Sequence, residues 1–488
     1  MSGSIEMMWS RGFRPFVGFG LIGWLLVGPA LADPVDLVRQ DLTDSTCMDG
    51  TPAGFYYDRN ATAADEWIVI LQGSNICSNV AGDERVEAAT VAECARWCFA
   101  NEAMGPMPLD PTGRTDDGVI GECDLPQASS SNWIPTLTKG SLFDDSSSAN
   151  PSFFDAQKIY VRSCSGDGWM GDADGVPVNG PVATTLSSFN FHGQRIINEV
   201  FEVIATTGLE LQDPADPDNP KATVTVKLTD GDSVLFGGES RGAFGAWANL
   251  DRVCGNLTAV LPDLRCRGIT ASYFPGLYKP KWREDLQTFE PAPTINFEQW
   301  VEVRKRRHRY QGVSAPTNCA ATFQGTASLN PVTPYHLDPD DPSAEMCLTD
   351  LGILLTLQTP TFVSFNRFDN VGDYDWQAGC DRTVSPPLRG GPDCFNNQLA
   401  REAGIRDIAS RLPASFVSYF TASDRHLYLI DSDCQDPNGA CWTDTNDLAL
   451  SSSVAVDILS KADVLEQWLQ GNHAGEVFWD IADKYPFP

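Results

Sequence analysis

Val234-Leu235-Phe236-Gly237-Gly238-Glu239-Ser240-Arg241-Gly242-Ala243-Phe244-Gly245-Ala246-Trp247 is the stretch on which the reading of this chain turns. A short apolar run suited to a buried strand breaks into Gly238-x-Ser240-x-Gly242, and small and apolar residues able to form a helix follow directly. That layout predicts a nucleophile elbow. Such a turn needs glycine two residues either side of the serine, because a side chain there would strike the adjoining strand and helix. The five-residue pattern is short enough to arise by chance; the strand before it and the helix after it give it weight.

The chain has 488 residues, and its hydrophobic content of 42% is enough to fill a sizeable core. A net charge of -31 argues against nucleic-acid binding, which needs a basic face, and against adsorption to anionic lipid. Much of the acid lies in Pro/Asp-rich segments such as Asp213-Pro214-Ala215-Asp216-Pro217-Asp218. These read as a solubilising surface, and no EF-hand pattern is present. Arg304-Lys305-Arg306-Arg307-His308-Arg309 runs the other way, as a solvated basic face or a contact for an acidic substrate.

Arg11 and Arg14 precede an apolar stretch from Phe16 to Leu31 that closes on Ala30-Leu31-Ala32. This predicts an export signal over residues 1–32, cleaved after Ala32, in preference to a transmembrane anchor, for which the stretch is short. The mature chain is then secreted or extracytoplasmic, with no membrane span left. All 14 cysteines lie beyond that point, as a disulfide framework requires. Cys254 with Cys266 and Cys434 with Cys441 are close enough in sequence to pair. The cysteines lack zinc-site spacing, so no metal is expected. Asn60-Ala61-Thr62 and Asn256-Leu257-Thr258 are glycosylation sequons.

Along the chain, Trp67-Ile68-Val69-Ile70-Leu71 reads as a strand ending at Gly73, where an open α/β sheet would place a site. Residues 100–149 lack periodicity and read as long loops, and Lys158-Ile159-Tyr160-Val161 reads as a second strand leading into Gly166-Asp167-Gly168-Trp169. Ile196, Ile197, Val200, Phe201 and Ile204 recur at helical spacing, and Thr223 to Leu228 alternates as a strand that Asp230-Gly231-Asp232 turns into the elbow strand. Residues of about 272–346 suit an insertion over the cleft. Ile353 to Leu357, Pro360 to Phe365 and Ser415 to Phe420 are strand-like, Glu402 to Arg411 is expected to be helical, and the last forty residues read as helical around Val454, Ile458, Leu465 and Trp468.

A serine nucleophile needs a base, and the base needs an acid to fix its tautomer. The chain has only five histidines: His192, His308, His336, His426 and His473. His192 precedes the serine, and His308, His336 and His473 lie in the cationic run, a Pro/Asp-rich segment and a polar helix end. His426 follows a strand that itself follows an acid-bearing strand end, giving the order Ser, acid, His of α/β-hydrolases. Asp369 fits the acid position, with Asp373 and Asp375 close enough to compete.

Several motifs occur together and in order: Cys47-x-Asp49-Gly50-x-Pro52-Ala53-Gly54-x-Tyr56, Leu71-Gln72-Gly73, Asn150-Pro151-x-Phe153-Phe154, Tyr160-Val161-Arg162 to Cys164 with its Gly-Asp loop, Phe191-x-Gly193-x-Arg195-Ile196, and Gly238-x-Ser240-x-Gly242. This series resembles the pectin acetylesterase and Notum family over most of the mature chain. The resemblance implies an α/β-hydrolase-like fold, in which a central, mostly parallel sheet is flanked by helices and carries long disulfide-held loops, over a single domain at 33–488. It also implies a serine carboxylesterase without a cofactor, with a triad falling on Ser240, Asp369 and His426. The oxyanion donors correspond to backbone N–H groups at Ser74 or Asn75 and at Arg241.

This chain departs from the family pattern in three places. Gly73 is followed by Ser74, Asn75 and Ile76, where the family has a glycine pair or triplet and a tryptophan; Arg241 replaces the usual alanine; and no cysteines flank His426. The substrate expected is a short acyl ester, acetyl above all, on a polysaccharide. A Notum-like lipid or protein deacylase would need a long apolar pocket, which the polar stretch around Asn75 disfavours. A catalytically inactive carbohydrate-binding protein of the same fold is the alternative outside the enzymes. Arg241 is expected to pair with a substrate carboxylate or to turn toward Glu239 or Asp251.

Overall fold

The computed structural model describes residues 34–62, 65–73, 128–131, 133–147, 150, 152–177, 188–213, 215–216, 219, 221–271, 280–283, 288–291, 350–366, 411–421, 445–446, 448–450, 459–472, 474–475 and 477–480, together with 311–313, 316, 318–319, 322, 347 and 409. The expected export signal, the basic run at 304–309, Cys434 and Cys441, nearly all of 402–411, Val454 and Ile458 lie outside them, as does most of 272–346. Within that last segment Pro280–Arg283 and Thr288–Pro291 pair as an antiparallel hairpin.

Among the described residues eleven strands form the central sheet: β1 (Val35–Thr46), β2 (Pro52–Asp58), β3 (Glu66–Leu71), β4 (Thr136–Lys139), β5 (Gln157–Val161), β6 (Ser233–Glu239), β7 (Arg265–Ala271), β8 (Thr361–Asn366), β9 (Val417–Thr421), β10 (Leu448–Leu450) and β11 (Val477–Asp480). Their spatial order is β10-β11-β9-β8-β7-β6-β3-β5-β2-β1-β4. From β5 to β11 every neighbouring pair is parallel. The antiparallel strands β2, β1 and β4 extend one side and β10 closes the other.

Parallel strands buried on both faces read as unbroken apolar runs. Trp67 through Leu71 of β3 and Val234 through Phe236 of β6 are such runs, and both are buried throughout. The chain passes from β3 to β5 on one side and returns to β6 on the other, so the sheet reverses direction between β3 and β6. Open α/β sheets place ligands beyond the carboxyl ends of strands at such a point.

Helices lie on both faces. α1 (Gly193–Glu202), α2 (Arg241–Val260) and α3 (Asp350–Thr356) share one face, where Phe201 of α1 meets Phe236 of β6 edge to face at 5.1 Å. The Cys254–Cys266 bridge, one of the close pairings the sequence allows, ties α2 to β7. Side chains alternate across a strand, so Arg267 points to the opposite face. There its guanidinium lies 5.2 Å from the ring of Trp468 and donates to the Leu469 carbonyl of α4 (Lys461–Leu469). Two further bridges, Cys47–Cys164 and Cys319–Cys347, are present; the first joins the end of β1 to the segment after β5.

Four expectations need correction. Residues 100–149 are not loop throughout: β4 lies within them, because Leu137 and Lys139 alternate inward and pair with β1. The run from Ile353 to Leu357 reads as strand, but its residues as far as Thr356 form most of α3; this is the usual ambiguity of a short apolar run, settled here by Asp350 in the first helical turn. Thr223–Val226 is a strand but pairs with Leu209–Gln212 as a separate hairpin. The last forty residues hold α4, with Leu465 and Trp468 buried, but also β11 and the end of β10 of the sheet.

Candidate active site

Ser240 stands where β6 gives way to α2, at φ 51 and ψ -124, a region that costs a non-glycine residue about 1–3 kcal/mol. The surroundings hold it there. Its N–H donates to the Ala271 carbonyl of β7 at 3.0 Å, and its carbonyl accepts from Ala243 N–H at 3.0 Å. A Cβ at Gly238 would lie 2.4 Å from Gly242, and one at Gly242 would lie 2.2 Å from the Leu71 carbonyl oxygen. Both glycines of the motif are therefore required by close approach of backbone, as the sequence predicts. Ser240 is half-buried and sits on the positive end of the 20-residue α2, whose first-turn N–H groups include that of Arg241.

The strands that carry the other expected residues end at the same edge. β8 ends at Asn366 and leads to Asp369, while β9 ends at Thr421 and leads to His426; both are parallel to β6. β8 is stationed by Asp251 of α2, whose carboxylate accepts from the N–H groups of Gln358 and Thr359 and from the Thr359 hydroxyl at 2.7–3.2 Å. Asp369, Asp373, Asp375, His308, His336, His426 and His473 themselves lie outside the described residues, as do Ser74 and Asn75.

The stem of the expected oxyanion segment is described. Gln72 N–H donates to the Val161 carbonyl at 2.9 Å, and its side-chain oxygen accepts from Ser163 N–H at 3.0 Å. Its carbonyl accepts from the indole N–H of Trp169 at 3.1 Å. The Gly166-Asp167-Gly168-Trp169 loop was visible in the sequence without a role; only the fold brings it against β3.

Arg241 reaches an acid beyond the two expected. Its guanidinium lies 3.9 Å from the buried carboxylate of Asp350 at the start of α3, while Asp251 is engaged with the segment before β8. The reason is placement: α3 packs against the first helix after the elbow, and Asp350 faces it.

His192 is buried at the start of α1. The Thr46 N–H donates to its Nδ1 at 3.1 Å, so the ring proton is on Nε2, which donates to Asp174 at 2.7 Å. Arg195 grips Asp174 with two nitrogens at 2.9 and 3.0 Å. These Arg195 hydrogen bonds, aided by His192 and opposed by burial, hold the Asp174 carboxyl at about 2. A lowered carboxyl stabilises the fold above its ordinary value and loses that contribution as pH falls toward about 2. Asp174→Asn is expected to cost less than about 1 kcal/mol near neutral pH, since the pair is largely exposed, and the difference in urea midpoint from wild type should close between about pH 4 and pH 2. A difference unchanged at pH 2 would refute it.

Among the described residues no group of His, Cys, Asp and Glu side chains could hold a metal ion, and no helix is long and apolar enough to cross a membrane.

Comparison with known proteins finds relatives of this chain. The sequence model described as Pectinacetylesterase matches residues 30–91 and 124–215. The palmitoleoyl-protein carboxylesterase notum1a of Danio rerio is 25% identical over 285 residues, 58% of this chain and 43% of that protein. The palmitoleoyl-protein carboxylesterase NOTUM of Homo sapiens is 23% identical over 378 residues, 77% of this chain and 58% of its own length. The chain spans about half the length of the curated relatives it matches. The crystal structure of the Wnt deacylase Notum from Drosophila superposes with a TM-score of 0.56 at 19% identity, covering 89% of this chain and 93% of that one. The α/β-hydrolase-like sheet agrees with the superposition and the ordered motifs from Cys47 to Arg195 fall within the matched residues, so the chain is similar to the pectin acetylesterase and Notum family.

Proposed function

We propose that this chain is an exported serine carboxylesterase that removes short acyl groups, acetyl above all, from a polysaccharide. The observation that carries the reading is Ser240 itself, held at positive φ between β6 and α2 where the sheet reverses direction. A strained serine at such an edge has its hydroxyl presented to a ligand and a helix N-terminus beside it.

In this reading Ser240 Oγ attacks the ester carbonyl while His426 takes its proton, and Asp369 holds the imidazole in the required tautomer. The negative charge developing on the carbonyl oxygen is met by backbone N–H groups at Arg241 and at Ser74 or Asn75. His426 then returns the proton to the leaving alcohol. Water, deprotonated by the same histidine, releases the acid from the acyl-enzyme. No cofactor enters. The three disulfides among the described residues suit an oxidising, extracytoplasmic compartment.

The names of the curated relatives favour a second reading, hydrolysis of a fatty acyl ester on a protein. A fluorophosphonate probe and a series of aryl esters separate the possibilities. Labelling of wild type, with kcat/KM falling by at least tenfold from acetate to octanoate and release of acetate from an acetylated polysaccharide, is expected. Faster turnover of octanoate would transfer the assignment to the fatty acyl reading. A protein that neither labels nor hydrolyses any ester would be a binding protein of this fold.

A further inference from the structure

The loop after β5 is more tightly specified than a core plug requires. Gly166, Gly168 and Trp169 all adopt positive φ, at 61, 66 and 70. Trp169 is not a glycine, so its conformation is strained and must be imposed by its surroundings. The imposing group is Asp167, a fully buried carboxylate that accepts from the Ser165 hydroxyl at 2.8 Å, Trp169 N–H at 2.8 Å and Gly193 N–H at 2.7 Å. On its other side, Trp169 offers its carbonyl to the Asn249 amide of α2 at 2.9 Å. Its ring fills the space a side chain at Gly245 would need, since a Cβ there would lie 2.4 Å from the Trp169 side chain.

One polar atom of the ring remains, and it reaches the Gln72 carbonyl. A trans peptide is planar, so fixing the direction of that C=O also fixes the direction of the Gly73 N–H. The same peptide abuts the elbow: a Cβ at Gly242 would lie 2.8 Å from the Gln72 oxygen.

We propose that Trp169 is a positioning residue for ester hydrolysis, a strut that Asp167 and Asn249 lock in place and whose indole N–H sets the peptide plane from which the oxyanion-binding segment departs. This rests on the serine esterase reading above. Its energetic role is preorganisation: donors aimed before the charge develops cost no reorientation during reaction. The strut would therefore act on the transition state and leave the binding of the neutral ester alone.

Trp169→Phe keeps most of the ring against Gly245 and deletes the indole N–H. With an aryl acetate it is expected to lower kcat about tenfold, less than the about 10²–10³ that loss of an oxyanion donor itself costs, with KM within about twofold of wild type. Affinity for a trifluoromethyl ketone, which forms a tetrahedral oxyanion with the serine, should fall by the same factor as kcat/KM. Gly245→Ala, which pushes the ring from the α2 side and leaves its N–H in place, should give the same split between kcat and KM. Folded Trp169→Phe with a lowered melting temperature but unchanged kcat and ketone affinity would reduce Trp169 to a core plug. Should that variant fail to fold, an unchanged kcat in Gly245→Ala overturns the proposal instead. A wild-type protein whose Ser240 does not react with a fluorophosphonate overturns the esterase reading and this role together, whereas a reactive wild type with indifferent variants sinks this role alone.

Discussion

Ser240→Ala is expected to lower turnover of a short-chain aryl ester by about 10⁴- to 10⁶-fold and to abolish fluorophosphonate labelling, with the fold intact. The hydroxyl carries the covalent step and the neighbouring donors alone provide only residual catalysis. Alanine at φ 51 is as strained as serine, so the melting temperature should hardly move. Ser240→Gly, by contrast, should lose activity and gain stability by about 1 kcal/mol, because the strain at the elbow is released. Loss of activity without that contrast would point to unfolding as the cause. Triad members act as a unit, so His426→Ala should match Ser240→Ala, with Asp369→Ala milder since it orients the imidazole without exchanging protons. A larger loss in Asp373→Ala or Asp375→Ala would move the acid to that residue. His473→Ala should change little, and near-wild-type turnover by Ser240→Ala would end the esterase reading.

What the sequence disclosed follows the strength of local constraint. The elbow was legible because its chemistry is local: two glycines, a serine, an apolar run and a helix lie in one continuous stretch, and Gly238 packs on the backbone of Gly242 while Gly242 packs on that of Leu71 in the adjoining strand. β3 and β6 were legible because strands buried on both faces carry unbroken apolar runs. α3 was misread because a run of a few apolar residues has no period to distinguish helix from strand, and the placement of Asp350 against Arg241 exists only once α3 packs on α2. The strut made by Trp169 was hidden for a different reason. Its partners Gln72, Asp167, Gly193, Gly245 and Asn249 come from separate segments joined only by the topology of the sheet. The Cys254–Cys266 bridge spans 12 residues and could be anticipated, whereas Cys47–Cys164 spans 117 and could not.

The same substitution at two positions of α2 is expected to act in opposite directions. Gly255 is exposed, and a methyl group built there meets nothing within 4 Å. Alanine at that position should raise stability by about 0.5–1 kcal/mol through helix propensity alone and leave kcat unchanged. At Gly242 the methyl carbon would sit 2.2 Å from the Leu71 oxygen and 2.8 Å from that of Gln72, both backbone atoms at the carboxyl end of β3. No rotamer change can relieve that contact, so the first turn of α2 must lift away from β3. Gly242→Ala should cost about 1–3 kcal/mol of stability, the usual range for overpacking. It should also separate the nucleophile from the oxyanion segment that leaves β3, and a misplacement of about 1 Å is enough to cost about 10² in rate. Thermal unfolding and aryl acetate kinetics on the two variants read both effects together. A Gly242→Ala enzyme that keeps wild-type kcat would mean that the elbow and the end of β3 do not have to stay in register for catalysis, which would remove the geometric basis for assigning one oxyanion donor to each.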